Sequence, residues 1–75
     1  MITYYKLLDI LNRRHMTREQ LKNQAGISSS TMTKISKGES VTLKTIDAIC
    51  RVLDVQPGDI LEYVPDNKPK SENNL

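Results

Sequence analysis

Residues Met16 to Gly38, MTREQLKNQAGISSSTMTKISKG, decide how the chain folds. Thr17 offers a hydroxyl to the free amides of a first helical turn, and Gln20, three residues on, can reach back to the Thr17 amide to close a capping box. A helix is therefore predicted to begin at Arg18. It stops near Ala25, because Gly26 supplies the left-handed backbone of a helix end and has no Cβ to clash there. After Ile27 alone, Ser28 caps a second helix, on which Met32 and Ile35 form one apolar edge. Two short helices joined by a glycine-containing turn must cross sharply, which is the helix-turn-helix arrangement; its second helix can be presented to a major groove.

Working outward, Tyr4, Leu7, Leu8 and Leu11 follow the i, i+3, i+4, i+7 spacing of an amphipathic helix over Tyr4 to Arg14, and Ile10 widens its stripe. Arg13, Arg14 and His15 fall at its C-terminus, where unpaired carbonyls favour positive charge. A five-residue spacing then recurs at successive helix starts: Met16 with Leu21, Ile27 with Met32, Val41 with Ile46 and Val55 with Ile60. Each pair fits a hydrophobic staple, an apolar residue before the cap packing on the fourth helical residue. With Thr42 as cap, a fourth helix runs from about Leu43 to Leu53 with Leu43, Ile46, Ile49, Cys50 and Leu53 inward. Gln56 as cap and Pro57 at the first position predict a short fifth helix over Pro57 to Leu61. Ile2 and Thr3 read as an extended segment before the first helix, and Glu62 to Val64 favour β structure before Pro65 blocks a helix.

The 75 residues make one small domain, 37% hydrophobic and 27% charged, within the globular range. Residues 1 to 65 are read as the domain, with the helix-turn-helix unit at 17–36. In 66–75, DNKPKSENNL, no apolar residue precedes Leu75, and disorder is expected. A single cysteine permits no internal disulfide, and no run is long enough for a membrane span, so a reduced, cytoplasmic protein is expected. Net charge is only +2, but it is unevenly spread. Between Arg13 and Lys44 stand seven basic residues against Glu19 and Glu39, while the remainder has four basic and seven acidic residues. Positive charge thus centres on the two-helix unit, the footprint of a phosphate-binding face. No metal-ligand cluster, Gly-rich phosphate loop or nucleophile motif is present, His15 has no partner for catalysis, and Cys50 lies on an apolar stripe. No enzyme activity, metal, cofactor or small-molecule ligand is expected.

The pattern T-x-x-x-L-x-x-x-A-G-I-S at Thr17 to Ser28, followed by M-x-x-I-x-x-G at Met32 to Gly38, resembles the Cro and lambda-repressor-like helix-turn-helix regulators. The resemblance covers about Tyr4 to Leu61, and TIDAICRVLDVQPGDIL is similar to that family's fourth helix, corner and fifth helix. It implies an all-α, five-helix DNA-binding domain. The opening MITYY and the later DILEYVPDNK resemble a subgroup of bacterial regulators whose chain ends pair as short antiparallel strands. Two positions depart from the family: Lys22 stands where a small alanine is usual, and Ser36 where a glutamate is frequent.

With Met32 and Ile35 inward, Ser30, Thr33, Lys34 and Lys37 project outward and Ser29 lies at the flank. Ser29, Ser30, Thr33 and Lys34 are the candidate base contacts: Lys34 for guanine O6 and N7, the Thr33 methyl for thymine, the serines as donors or acceptors. Arg18, Ser28, Lys37, Thr42 and Lys44 are the candidate phosphate contacts, although Ser28 is also needed as a cap. One recognition helix reaches few bases, so a homodimer on double-stranded DNA with a palindromic operator is expected, joined through Ile60, Leu61, Tyr63 and Val64. The competing function is a protein-interaction module of the same fold, an antitoxin or antirepressor whose basic helix meets an acidic protein.

Overall fold

The structure, a computed structural model, describes residues 1–65; the disorder expected for 66–75 lies outside them. In chain order the elements are β1 (Ile2–Thr3), α1 (Tyr5–Arg13), α2 (Arg18–Ala25), α3 (Ser29–Lys37), α4 (Leu43–Leu53), a single 3₁₀ turn (Pro57–Asp59) and β2 (Glu62–Tyr63). Four helices form the body, and β1 pairs antiparallel with β2 so that Ile2 faces Tyr63 and Thr3 faces Glu62.

Each predicted cap from Thr17 to Thr42 is made. The Thr17 hydroxyl accepts from the Gln20 amide at 3.0 Å while the Gln20 side chain accepts from the Thr17 amide at 2.8 Å. Ser28 accepts from the Thr31 amide at 3.1 Å and Thr42 from the Thr45 amide at 3.2 Å. The helix ends share one device as well. A left-handed residue follows or lies just past each helix, namely His15, Gly26, Gly38 and Asp54, and the next amide bonds back five residues: Met16 to Leu11, Ile27 to Lys22, Glu39 to Lys34, Val55 to Cys50. This is the Schellman pattern, which satisfies carbonyls a helix would otherwise leave bare. Gly26 and Gly38, at φ of 69° and 77°, adopt it without a Cβ penalty.

The core is a single cluster in which Leu7, Leu21, Ile35, Ile49, Leu53 and Ile60 are fully buried. Tyr4, Leu11, Ala25, Met32 and Ile46 complete it, so every helix contributes its apolar edge. The staple residues Met16, Ile27, Val41 and Val55 pack against its margin, half-buried, as residues that fix where the chain enters a helix should.

Three predicted features differ. Pro57 to Leu61 forms a 3₁₀ turn ending at Asp59 instead of a fifth α-helix. Gly58 lowers helix propensity, five residues are too few to recover the cost of helix nucleation, and Asp59 draws the turn tight by accepting from the Gln56 amide at 3.0 Å. Leu43, expected inward, is 82% exposed. It is the first residue of α4, and helical side chains lean toward the N-terminus, so it projects off the end of the helix past the core. Ile60, expected at a dimer surface, is fully buried and is a core residue; the tight turn before it drives its side chain under the domain.

Candidate nucleic-acid interface

The face of the domain around α3 is built by fixing that helix from below and at both ends. Met32 and Ile35 anchor it in the core. Ser28 holds its start, donating to the Thr31 hydroxyl at 2.9 Å as well as accepting from the Thr31 amide. Beyond its end, the buried Tyr4 hydroxyl donates to the Glu39 carbonyl at 2.7 Å, tying the start of α1 to the loop that follows α3. Burial pushes the Tyr4 phenol above its ordinary pKa, with a backbone hydrogen bond at Val41 opposing, so it stays a protonated donor at neutral pH.

What α3 leaves outside is Ser29, Ser30, Thr33, Lys34, Ser36 and Lys37, all exposed. Thr33 donates its hydroxyl proton to the Ser29 carbonyl at 2.9 Å, within the helix, and this turns its hydroxyl toward its own backbone. Two shallow troughs flank the helix, and a third lies at its start. One, of about 340 Å³, brings Arg18 at the start of α2 beside Ser29, Thr33 and Lys37. The other, of about 370 Å³, brings Lys34 beside Ser40 and Thr42. The third, of about 360 Å³, gathers Ser28 with Lys44 and Arg51. The nine candidate contacts are thus placed around one helix, with Ser30 exposed near its start.

The cations divide into two groups. Arg13 pairs with Asp9, Arg14 donates to the Leu53 carbonyl at 2.8 Å, and Lys22 lies 3.2 Å from Glu19. These have structural duties. Arg14 satisfies the last carbonyl of α4, that of Leu53, across the interface between helices, where the sequence placed it at the end of its own helix. Lys22, standing where the family has a small residue, lies half-buried with its ammonium swung toward Glu19, which lets α2 keep its place. The side chains of Arg18, Lys34, Lys37 and Lys44 make no ion pair or hydrogen bond among the described residues, and all four residues are exposed. Arg51, seven residues beyond Lys44 and so on the same side of α4, joins them beside Ser28. That seven-residue spacing was the signal for it in the sequence.

The other chemically distinctive groups have inert settings. The Cys50 thiol is pushed up in pKa by burial and by the nearby Asp47 and Asp59 carboxylates, which makes it a poor nucleophile. Among the described residues, no cluster of His, Cys, Asp and Glu could hold a metal, and no helix is long and apolar enough to cross a membrane.

A polar, cationic helix held up by a second helix is helix-turn-helix geometry, and residues 6–66 match the model of the Cro/C1-type helix-turn-helix DNA-binding domain. The chain belongs to that family. It is 39% identical over 59 residues to the uncharacterised HTH-type transcriptional regulator YozG of Bacillus subtilis (strain 168), covering 76% of this chain and 70% of the relative. The crystal structure of the transcriptional regulator VanUg superposes with a TM-score of 0.83 at 38% identity, over 87% of each chain. The Cro/C1-type match supports a helix-turn-helix transcriptional regulator with a DNA-binding domain.

Proposed function

We propose that the protein is a sequence-specific repressor that inserts α3 into the major groove and acts, in the cytoplasm, as a homodimer on a palindromic operator. The observation that carries this reading is the outward face of α3, whose two lysines have no partner among the described residues while neighbouring cations are already engaged. Unpaired cations pointing from one rigid helix are costly to hold together except opposite a polyanion.

Ser29, Ser30, Thr33 and Lys34 contact base edges. Because the Thr33 hydroxyl is bonded to its own helix, the group it offers a base is its methyl, which suits a thymine C5-methyl. Arg18, Lys37 and Lys44 contact phosphates, and the amides at the starts of α2 and α4 point at the same backbone. Ser28 and Thr42 keep their hydroxyls in their caps, so their contribution there is through main-chain amides. Repression follows from occupancy: a bound domain of this kind excludes other proteins from its site.

Selecting duplexes from a random pool tests the division of roles. Lys34→Ala is expected to relax the preference at one position of each half-site by about 1–3 kcal/mol. Lys44→Ala is expected to weaken binding to all duplexes alike and reduce the salt slope by about one. Equal effects from the two substitutions would overturn the assignment.

A further inference from the structure

The ribbon of β1 and β2 has one covered face and one open face. Ile2 and Tyr63 are opposite one another, so their side chains share a face, and Thr3 lies on the other. Thr3 is buried, whereas Ile2 is 48% and Tyr63 67% exposed. Met1, 59% exposed, and Tyr5, 70% exposed, continue the open face. Together with Ile2 they border a groove of about 130 Å³ that Leu8 and Ile35 also line. None of the four exposed side chains is charged, and the Met1 ammonium donates to the Val64 carbonyl at 2.5 Å.

A contiguous apolar surface of this kind on a small domain marks a contact site. Its chemistry selects the occupant. The cation among Met1, Ile2, Tyr5 and Tyr63 is the Met1 ammonium, and it is already bonded to the Val64 carbonyl, so the patch presents uncharged side chains and no phosphate site. A second copy of the chain fits, because a two-fold contact sets the same patch against itself, and an uncharged aromatic and aliphatic patch does so without like-charge repulsion. The area suffices. With two-thirds of each tyrosine and about half of Met1 and Ile2 available, the patch offers about 500 Å² per protomer and about 1,000 Å² in all, the lower bound for a specific interface.

Resting on the reading of the protein as a homodimeric regulator, we propose that the open ribbon face, formed by Met1, Ile2, Tyr5 and Tyr63, seats a second copy. The groove beside it also takes in Ser36, Lys37 and Gly38, the end of α3. The dyad therefore passes beside the C-terminal ends of the two recognition helices, and the ribbon sets their separation.

Sedimentation equilibrium of the full chain, at micromolar and at near-millimolar concentration, tests this. The expected species at the higher concentration has twice the 8.5 kDa chain mass. Tyr5→Glu and Tyr63→Glu, each placing two like charges across the dyad, are expected to sediment as monomers with unchanged helical circular dichroism. Both variants should keep wild-type affinity for a single half-site duplex and bind the full operator about a hundredfold more weakly. A wild-type chain that is monomeric at both concentrations, or two variants that still dimerise, would overturn the proposal. A chain that dimerises through these residues yet binds no duplex would leave the interface standing and overturn the DNA reading instead.

Discussion

Ile49→Ala is expected to cost about 3–4 kcal/mol of folding stability, whereas Leu43→Ala, on the same helix, is expected to change it by less than about 0.5 kcal/mol. Ile49 is fully buried at the middle of α4, in the cluster that also holds Leu7, Leu21 and Leu53. Truncating it removes buried methylene groups and leaves a cavity that neighbours from four helices cannot collapse into. Leu43 is 82% exposed and has little burial to lose. A domain of this size has a total stability of about 4–11 kcal/mol, so the first change removes about a quarter or more of it. Urea unfolding followed by circular dichroism reads the difference. The midpoint should fall steeply for Ile49→Ala at unchanged slope and hardly move for Leu43→Ala; equal shifts would contradict the assignment of Leu43 to the surface.

Ser30→Glu is expected to abolish operator binding while leaving the fold as stable as before or slightly more so. Ser30 is exposed in the first turn of α3, where a carboxylate interacts favourably with the unpaired amides of the helix start. In the major groove the same carboxylate faces the negative potential of the duplex and must shed its water to enter. Several kcal/mol of like-charge and desolvation cost translate into a loss of about a hundredfold or more in affinity. Loss of stability in parallel with binding would instead mean that Ser30 serves the fold. Retained binding would mean that the start of α3 lies outside the groove.

The sequence made the scaffold readable wherever a local rule had no competitor. Thr17 with Gln20, Ser28, Gly26 and Thr42 act within one turn of the chain, and the structure makes the bonds their spacing implied. The ends of α1 and α4 were harder to see, because His15 and Asp54 take the left-handed backbone there with φ of 56° and 57° where glycine would announce it. The stretch Pro57 to Leu61 carried a helix signal in Pro57 and a counter-signal in Gly58, and the counter-signal decided the outcome. Periodicity alone placed Leu43 inward and left Ile60 available for a partner. Both were reversed by position in three dimensions, one at the overhanging end of a helix and the other beneath a tight turn. For the interface, the outward residues of α3 followed from the positions of Met32 and Ile35. The split between engaged and unengaged cations did not, because Arg14 meets the Leu53 carbonyl across 39 residues of sequence.

Salt dependence tests whether the cations around α3 bind duplex DNA. Titrating a labelled duplex, chosen from the random pool, at a series of salt concentrations should give a logarithm of the association constant that falls linearly with the logarithm of salt. With Arg18, Lys37 and Lys44 on phosphates in each of two protomers, a slope of about −5 is predicted. Failure to bind any duplex at low salt, or an affinity that salt leaves unchanged, would contradict it.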